Sequence, residues 1–267
     1  MPDAPVTVAT LAAMKARGEP IACLTCYEAS FARLLDAAGL DLMLVGDSLG
    51  MVVQGHASTV PVTLDQMTYH TACVARGRTR ALIVADLPFL AAATQERALD
   101  AAARLTQEGG AEMVKLEGGE AVLPRVRALT DQGVAVCGHL GLLPQSIHRA
   151  GAYRYQGRDE DSAARIYRDA RALEEAGASL LVLECVPAAL AAEVSRALAI
   201  PVIGIGAGND CDGQVLVLPD LLGLNPNRPP RFSRNFLCDG RSVPEALTAY
   251  VKAVRERGFP GPAGPAY

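Results

Sequence analysis

The chain has 267 residues, half of them hydrophobic but only 4% aromatic, with no Trp and a formal net charge of −4 at pH 7. An acidic balance without a basic run excludes an electrostatic nucleic-acid binder, and no stretch is long and apolar enough to span a membrane. No basic-then-apolar leader opens the sequence, so a cytoplasmic protein is expected, and seven dispersed cysteines, an odd number, argue against a disulfide framework.

In chain order, a short helix is expected over about 7–17. From Ile21 the pattern alternates. Apolar β-type runs fall near 21–25, 41–46, 81–85, 112–116, 134–138, 179–184, 201–205 and 214–218. Stretches with helical spacing lie between them at about 29–38, 64–76, 94–108, 120–131, 160–176 and 188–198. Near-continuous apolar strands alternating with helices argue for a parallel sheet covered on both faces. Eight strands and this length suit a closed (β/α)8 TIM barrel over 1–257, preceded by the short helix; an open doubly wound sheet is the alternative. Thr63 with Gln66 reads as a capping box, Pro187 as a first-turn proline, and Gly39, Gly109, Gly133 and Gly177 as helix ends. Residues 258–267, rich in Pro and Gly, read as a flexible tail. Two connections, 48–62 and 140–159, exceed what an α/β unit needs and follow strand ends, where loops close over substrates. Cys23 and Cys26 form a lone C-x-x-C without a second Cys/His pair, which reads as two ordinary thiols.

Four acidic residues end four separate apolar runs: Asp47, Asp86, Glu117 and Glu184. In a parallel barrel, the carboxyl ends of the strands carry the chemistry. Converging carboxylates there suit a hard divalent cation, a proton-abstracting base, or both. Side-chain alternation puts Met113, Lys115 and Glu117 on one face, and Val182 with Glu184 on one face. Lys115 inside an apolar strand is costly to bury unless it is paired or used, so a structural Lys–carboxylate pair is the competing reading. Asp47 and Asp86 each have a simpler role as helix caps, whereas Glu117 and Glu184 are poorer caps. A 2-oxo acid would complete a Mg²⁺ shell through its keto and carboxylate oxygens, and Lys115 could neutralise its carboxylate. His139 follows the fifth strand and is either a site acid or donor, or a structural histidine. GIGAG at 204–208 is either a phosphate cradle or a tight turn.

Ordered motifs then narrow the class. VGDSLG, ADLPF, VKLEGG, GHLGLLPQS, YRYQGR, LECVP and PVIGIGAG occur in this order from Val45 to Gly208. Together they resemble the 3-methyl-2-oxobutanoate (ketopantoate) hydroxymethyltransferase family over nearly the whole chain. The resemblance implies a barrel enzyme that moves a one-carbon unit from the co-substrate 5,10-methylenetetrahydrofolate to C3 of 3-methyl-2-oxobutanoate, giving 2-dehydropantoate for pantothenate synthesis. It implies one Mg²⁺ per subunit on Asp47, Asp86 and Glu117. Asp47, Ser48, Asp86, Lys115 and His139 would meet the substrate, Glu184 would be the general base, and the chain would form a homodecamer. Departures from the family pattern stand at Glu28, Ala91–Ala92 and Pro219, and they touch folate contacts and packing more than the metal or base positions. Two other functions fit the residues: a metal-dependent aldolase or lyase of pyruvate-like acids, and a catalytically silent barrel that binds a small molecule.

Overall fold

A computed structural model describes residues 4–225 and 229–261. Eight parallel strands close a barrel in sequence order: β1 Ile21–Thr25, β2 Leu42–Val45, β3 Leu82–Asp86, β4 Met113–Glu117, β5 Ala135–Gly141, β6 Leu180–Glu184, β7 Val202–Ile205 and β8 Gly213–Leu216, which returns to β1. The helices are α1 Val8–Ala16, α2 Ala29–Ala37, α3 Leu49–Val52, α4 Leu64–Gly77, α5 Gln95–Gln107 and α6 Leu123–Asp131. They continue with α7 Ile147–Ala150, α8 Glu160–Glu175, α9 Ala188–Ala197, α10 Leu218–Leu221 and α11 Val243–Arg255. None of the described helices is long and apolar enough to cross a membrane.

Strand alternation produces two cores. Outward residues such as Met43, Ile83, Val114, Leu116 and Leu181 pack under the helices. Inward residues such as Ile21, Leu42, Val84, Met113, Cys137 and Ile203 fill the barrel. Apolar side chains of both parities are therefore buried, which is why these strands read as unbroken hydrophobic runs. The structure shows no disulfide framework among the described residues.

The bottom of the barrel is plugged. Val6, Leu11 and Met14, in and just before α1, join the interior cluster. Lys15 Nζ donates to Ser195 O at 2.7 Å, Ile200 O at 2.8 Å and Asp212 Oδ2 at 2.8 Å, at the amino ends of β7 and β8. At the opposite side of the sequence α11 covers the β1–β8 seam. Tyr250 is buried and its hydroxyl donates to Cys23 O at 2.7 Å. Sequence periodicity missed α11, although its S-x-x-E capping box, Ser242 with Glu245, was readable. Packing continues to Phe259, which is 5% exposed against Phe236 and Tyr250, two residues into the expected tail. Residues 262–267 of that tail lie outside the described residues.

Local signals differ in detail. Thr63 and Gln66 form the expected capping box. Pro187 is the N-cap of α9, one place earlier than expected, because its ψ of 136° is extended. Gly110, not Gly109, takes the left-handed turn after α5, with φ of +77°. Glu28, a departure from the family pattern, caps α2 by accepting from Ser30 N at 2.6 Å and Phe31 N at 2.7 Å.

Asp36 ties the end of α2 to the start of β3. Its carboxylate accepts from the backbone N–H groups of Thr79 at 2.8 Å, Arg80 at 2.9 Å and Ala81 at 2.8 Å, and from the Thr79 hydroxyl. Burial pushes its pKa up, but these hydrogen bonds together outweigh burial and hold it below the unfolded 3.8. A depressed carboxyl adds stability above the unfolded pKa and loses it as pH falls through the folded one. Asp36→Ala is therefore expected to cost about 2 kcal/mol at neutral pH, with a smaller difference from the parent below about pH 3. Thermal melts of both proteins across pH 2.5–7 check both the size and the sign.

Candidate active site

Five strands deliver the polar groups expected from the sequence to one cavity of about 540 Å³ at the carboxyl end of the barrel. Asp47 and Ser48 follow β2, and Asp86 ends β3. Lys115 and Glu117 come from β4, His139 from β5 and Glu184 from β6. Register explains the convergence. Asp86 pairs with Lys115 across β3–β4, Glu117 with His139 across β4–β5, and Gly141 with Glu184 across β5–β6. Gly141 is required here. Its φ is +93°, and a Cβ on it would lie 2.1 Å from Glu184 O.

The contacts form one network. Lys115 Nζ stands 2.9 Å from Asp86 Oδ1, both residues being almost fully buried. The Asp47 N–H donates to Asp86 Oδ2 at 3.1 Å. His139 sits between two carboxylates, with Nδ1 3.5 Å from Glu117 Oε1 and Nε2 3.3 Å from Glu184 Oε2. Ser48 Oγ is 2.8 Å from the Tyr27 hydroxyl, and His70 Nδ1 meets Tyr27 O at 2.7 Å. Tyr27 thus links α4 to the segment after β2.

Burial and crowding set the charges. Desolvation, then the charges of Asp86 and Glu117, push the Asp47 carboxyl up to about 8. Burial and Lys115 push His139 down, but Glu117 and Glu184 prevail and carry it to about 9. Burial also opposes the charge on Lys115, yet Asp86, Glu117 and Asp47 outweigh it and hold the ammonium firmly protonated. The arrangement is a buried cation amid surplus carboxylates.

Gln145 was not singled out by the sequence. Its side-chain Nε2 donates to Asp47 Oδ2 at 2.7 Å and Leu87 O at 2.9 Å, while its backbone N–H donates to Glu117 Oε2 at 3.1 Å. It lies in the GHLGLLPQS motif, four residues past β5, and that motif was the available signal. Tyr155, later in the same connection, donates to Gly206 O at 2.6 Å. At GIGAG, a Cβ on Gly206 would lie 2.7 Å from the Phe232 ring and one on Gly208 2.5 Å from Ala188. The loop is the tight, close-packed turn, with its backbone covered by side chains.

Among the described residues, no group of three or more His, Cys, Asp or Glu side chains is spaced to hold a metal ion by protein ligands alone. The donor chemistry still suits a hard cation. Asp47 and Asp86 are adjacent, and their excess charge is what a divalent ion relieves. Asp86 Oδ1 is buried and, despite its nearness to Lys115, lacks a well-directed hydrogen bond, so it has a lone pair for a ligand. Glu117, held by Gln145 and His139, stands behind this pair.

A closed parallel barrel with this constellation at its carboxyl end defines a (β/α)8-barrel enzyme. A sequence model of ketopantoate hydroxymethyltransferase matches residues 5–262. The 3-methyl-2-oxobutanoate hydroxymethyltransferase of Thiobacillus denitrificans is 60% identical over 257 residues, covering 96% of this chain and 97% of its own. The enzyme of the same name from Methylococcus capsulatus is 59% identical, covering 96% and 95%. The chain therefore belongs to the ketopantoate hydroxymethyltransferase family, whose members are transferases. Among solved structures, a phosphonopyruvate hydrolase complex with oxalate and Mg²⁺ aligns with a TM-score of 0.63 at 12% identity, covering 94% of this chain and 96% of that one. A 2,3-dimethylmalate lyase of the PEP mutase/isocitrate lyase superfamily aligns at 0.56 and 16%, covering 81% of each. These two likenesses concern the fold.

Proposed function

We propose that the cavity carries out the transfer of a one-carbon unit from 5,10-methylenetetrahydrofolate to C3 of 3-methyl-2-oxobutanoate, giving 2-dehydropantoate. The carrying observation is the convergence of Asp47, Asp86, Lys115, Glu117, His139 and Glu184 from five strands onto one cavity. Asp47 and Asp86 would hold Mg²⁺, with Glu117 behind them. Bound there, the ion supplies Lewis-acid polarisation of the keto oxygen.

The chain's own groups account for the remaining work. Lys115 and Ser48 bind the substrate carboxylate, and Lys115 keeps its charge because three carboxylates surround it. Glu184, 17% exposed and 3.3 Å from His139 Nε2, removes the C3 proton. The C–H electron pair moves into the C2–C3 bond of the enolate. C3 then bonds to the one-carbon unit, both carbon–nitrogen bonds joining that carbon to folate break, and water supplies the hydroxyl; the two folate nitrogens take up the proton Glu184 removed and the proton left from water. The apolar wall of Leu44, Val182 and Ile205 faces the substrate's methyl groups.

Gln145 positions this machinery by fixing Asp47 and Glu117 together. Gln145→Leu removes the donor to a buried carboxylate and is expected to lower kcat/KM about 30-fold, with little loss of melting temperature. Steady-state kinetics beside a thermal melt check this pair of outcomes.

Product analysis tests the reaction itself. Protein, Mg²⁺, 3-methyl-2-oxobutanoate and methylenetetrahydrofolate should give 2-dehydropantoate. Turnover with a free aldehyde but none with the folate would move the assignment to an aldolase. No turnover and no proton exchange would move it to a silent binding barrel. The same reading carries a cytoplasmic homodecamer, and light scattering on the purified protein reads the assembly size.

A further inference from the structure

The cavity has two unlike halves. The arc from β2 to β6 carries every charged group of the proposed chemistry. The arc from β7 through β8 presents Ile205, Val215 and Val217, with Phe232 beside them. A five-carbon oxo acid seated among the charges leaves much of the 540 Å³ to a second ligand. That ligand meets apolar walls.

One further carboxylate lines this half. Asp220 lies on α10, directly after β8, and is 6% exposed. The Leu218 N–H donates to Thr25 Oγ1 at 2.9 Å, which fixes α10 against β1. Asn225 Nδ2 donates to Asp220 Oδ1 at 2.8 Å. Among the described residues no Lys, Arg or His forms an ion pair with it. That amide donor meets one carboxylate oxygen on the cavity wall, and burial holds the carboxyl above the ordinary range against the Asn225 bond. Neither the proton abstraction nor the barrel packing uses this group.

The ligand this half fits is flat, apolar on its faces and rich in N–H donors along one edge. We infer that Asp220 recognises the reduced pterin of the co-substrate, accepting the parallel N–H donors of its 2-amino-4-oxopyrimidine edge, while Val215, Val217 and Phe232 cover the ring. This assignment rests on the folate reading above. A carboxylate meeting two parallel N–H groups is the bidentate arrangement used for guanidinium-like edges. Asn225 then acts as a positioning residue that orients the carboxylate.

The test measures binding of tetrahydrofolate and of its 2-desamino analogue, by calorimetry, to the full-length protein with Mg²⁺ and 3-methyl-2-oxobutanoate present. The parent should bind tetrahydrofolate about 100-fold more tightly than the analogue, because a site built for an N–H donor rejects ligands lacking it. Asp220→Asn should lose most of that preference and bind both ligands about equally weakly. C3 deuterium exchange by the same variant reports that the fold and the other half of the cavity persist. Undiminished discrimination by Asp220→Asn, or none by the parent, overturns the assignment while leaving the folate reading in place. A parent that exchanges the C3 proton but binds no tetrahydrofolate overturns both.

Discussion

Glu184→Gln is expected to abolish deuterium exchange at C3 of 3-methyl-2-oxobutanoate while Mg²⁺ binding stays within a few-fold of the parent. The substitution keeps the side chain's shape and its contact with His139, but an amide is not a base. Loss of a general base lowers rates by about 10²- to 10⁴-fold, so exchange should fall into the background of the assay. Exchange is the right readout because it needs no folate and isolates the first proton transfer. Glu184 ends β6, three strands on from β3, and is not among the residues proposed to hold the cation. Mass spectrometry of the recovered acid reads exchange, and calorimetry reads the metal. Exchange at the parental rate would remove Glu184 from the chemistry.

The second large effect is expected at Asp86, and it combines two losses. Asp86→Asn removes a carboxylate oxygen proposed to bind the cation and also the nearest counter-charge of a buried ammonium, 2.9 Å away on Lys115. Breaking a buried ion pair from one side costs about 3–5 kcal/mol, because a charge is left without its partner. Asp47 and Glu117 still surround Lys115 and temper the loss, so we expect about 3 kcal/mol and a melting temperature lower by roughly 6–12 °C. Magnesium affinity should fall by at least about 100-fold, and exchange with it. A double variant, Asp86→Asn with Lys115→Met, should recover much of the stability and none of the metal binding. Recovery of both, or of neither, would show that the two roles of Asp86 have been wrongly separated. Scanning calorimetry and Mg²⁺ titration of the parent and the two variants decide it.

The strand-end acids were legible because a two-face-buried strand leaves little else polar. Asp47, Asp86, Glu117 and Glu184 interrupt runs that are otherwise apolar, and alternation alone placed Lys115 beside Glu117. What stayed hidden depends on contacts between distant segments. Gln145 looks like an ordinary loop amide until its connection folds back over β2 and β4. Asp220 resembles a helix-turn acid until β8 carries it to the cavity wall. The amino-terminal helix was expected, but its function was not, since nothing in Leu11 or Met14 says that they point into a barrel rather than at a neighbouring helix. Glu28 is the converse case. It stood out as a family departure, and local capping of α2 accounts for it.

The stopper formed by Val6, Leu11, Met14 and the Lys15 clasp has a kinetic corollary. A vessel closed at its base has one doorway, shared by arrivals and departures. Whatever settles against the floor carboxylates must come in before the larger guest that reclines across the upper wall, and must wait for that guest to go. Initial-rate patterns should accordingly show compulsory order, with the small acid leading and its lengthened product exiting last.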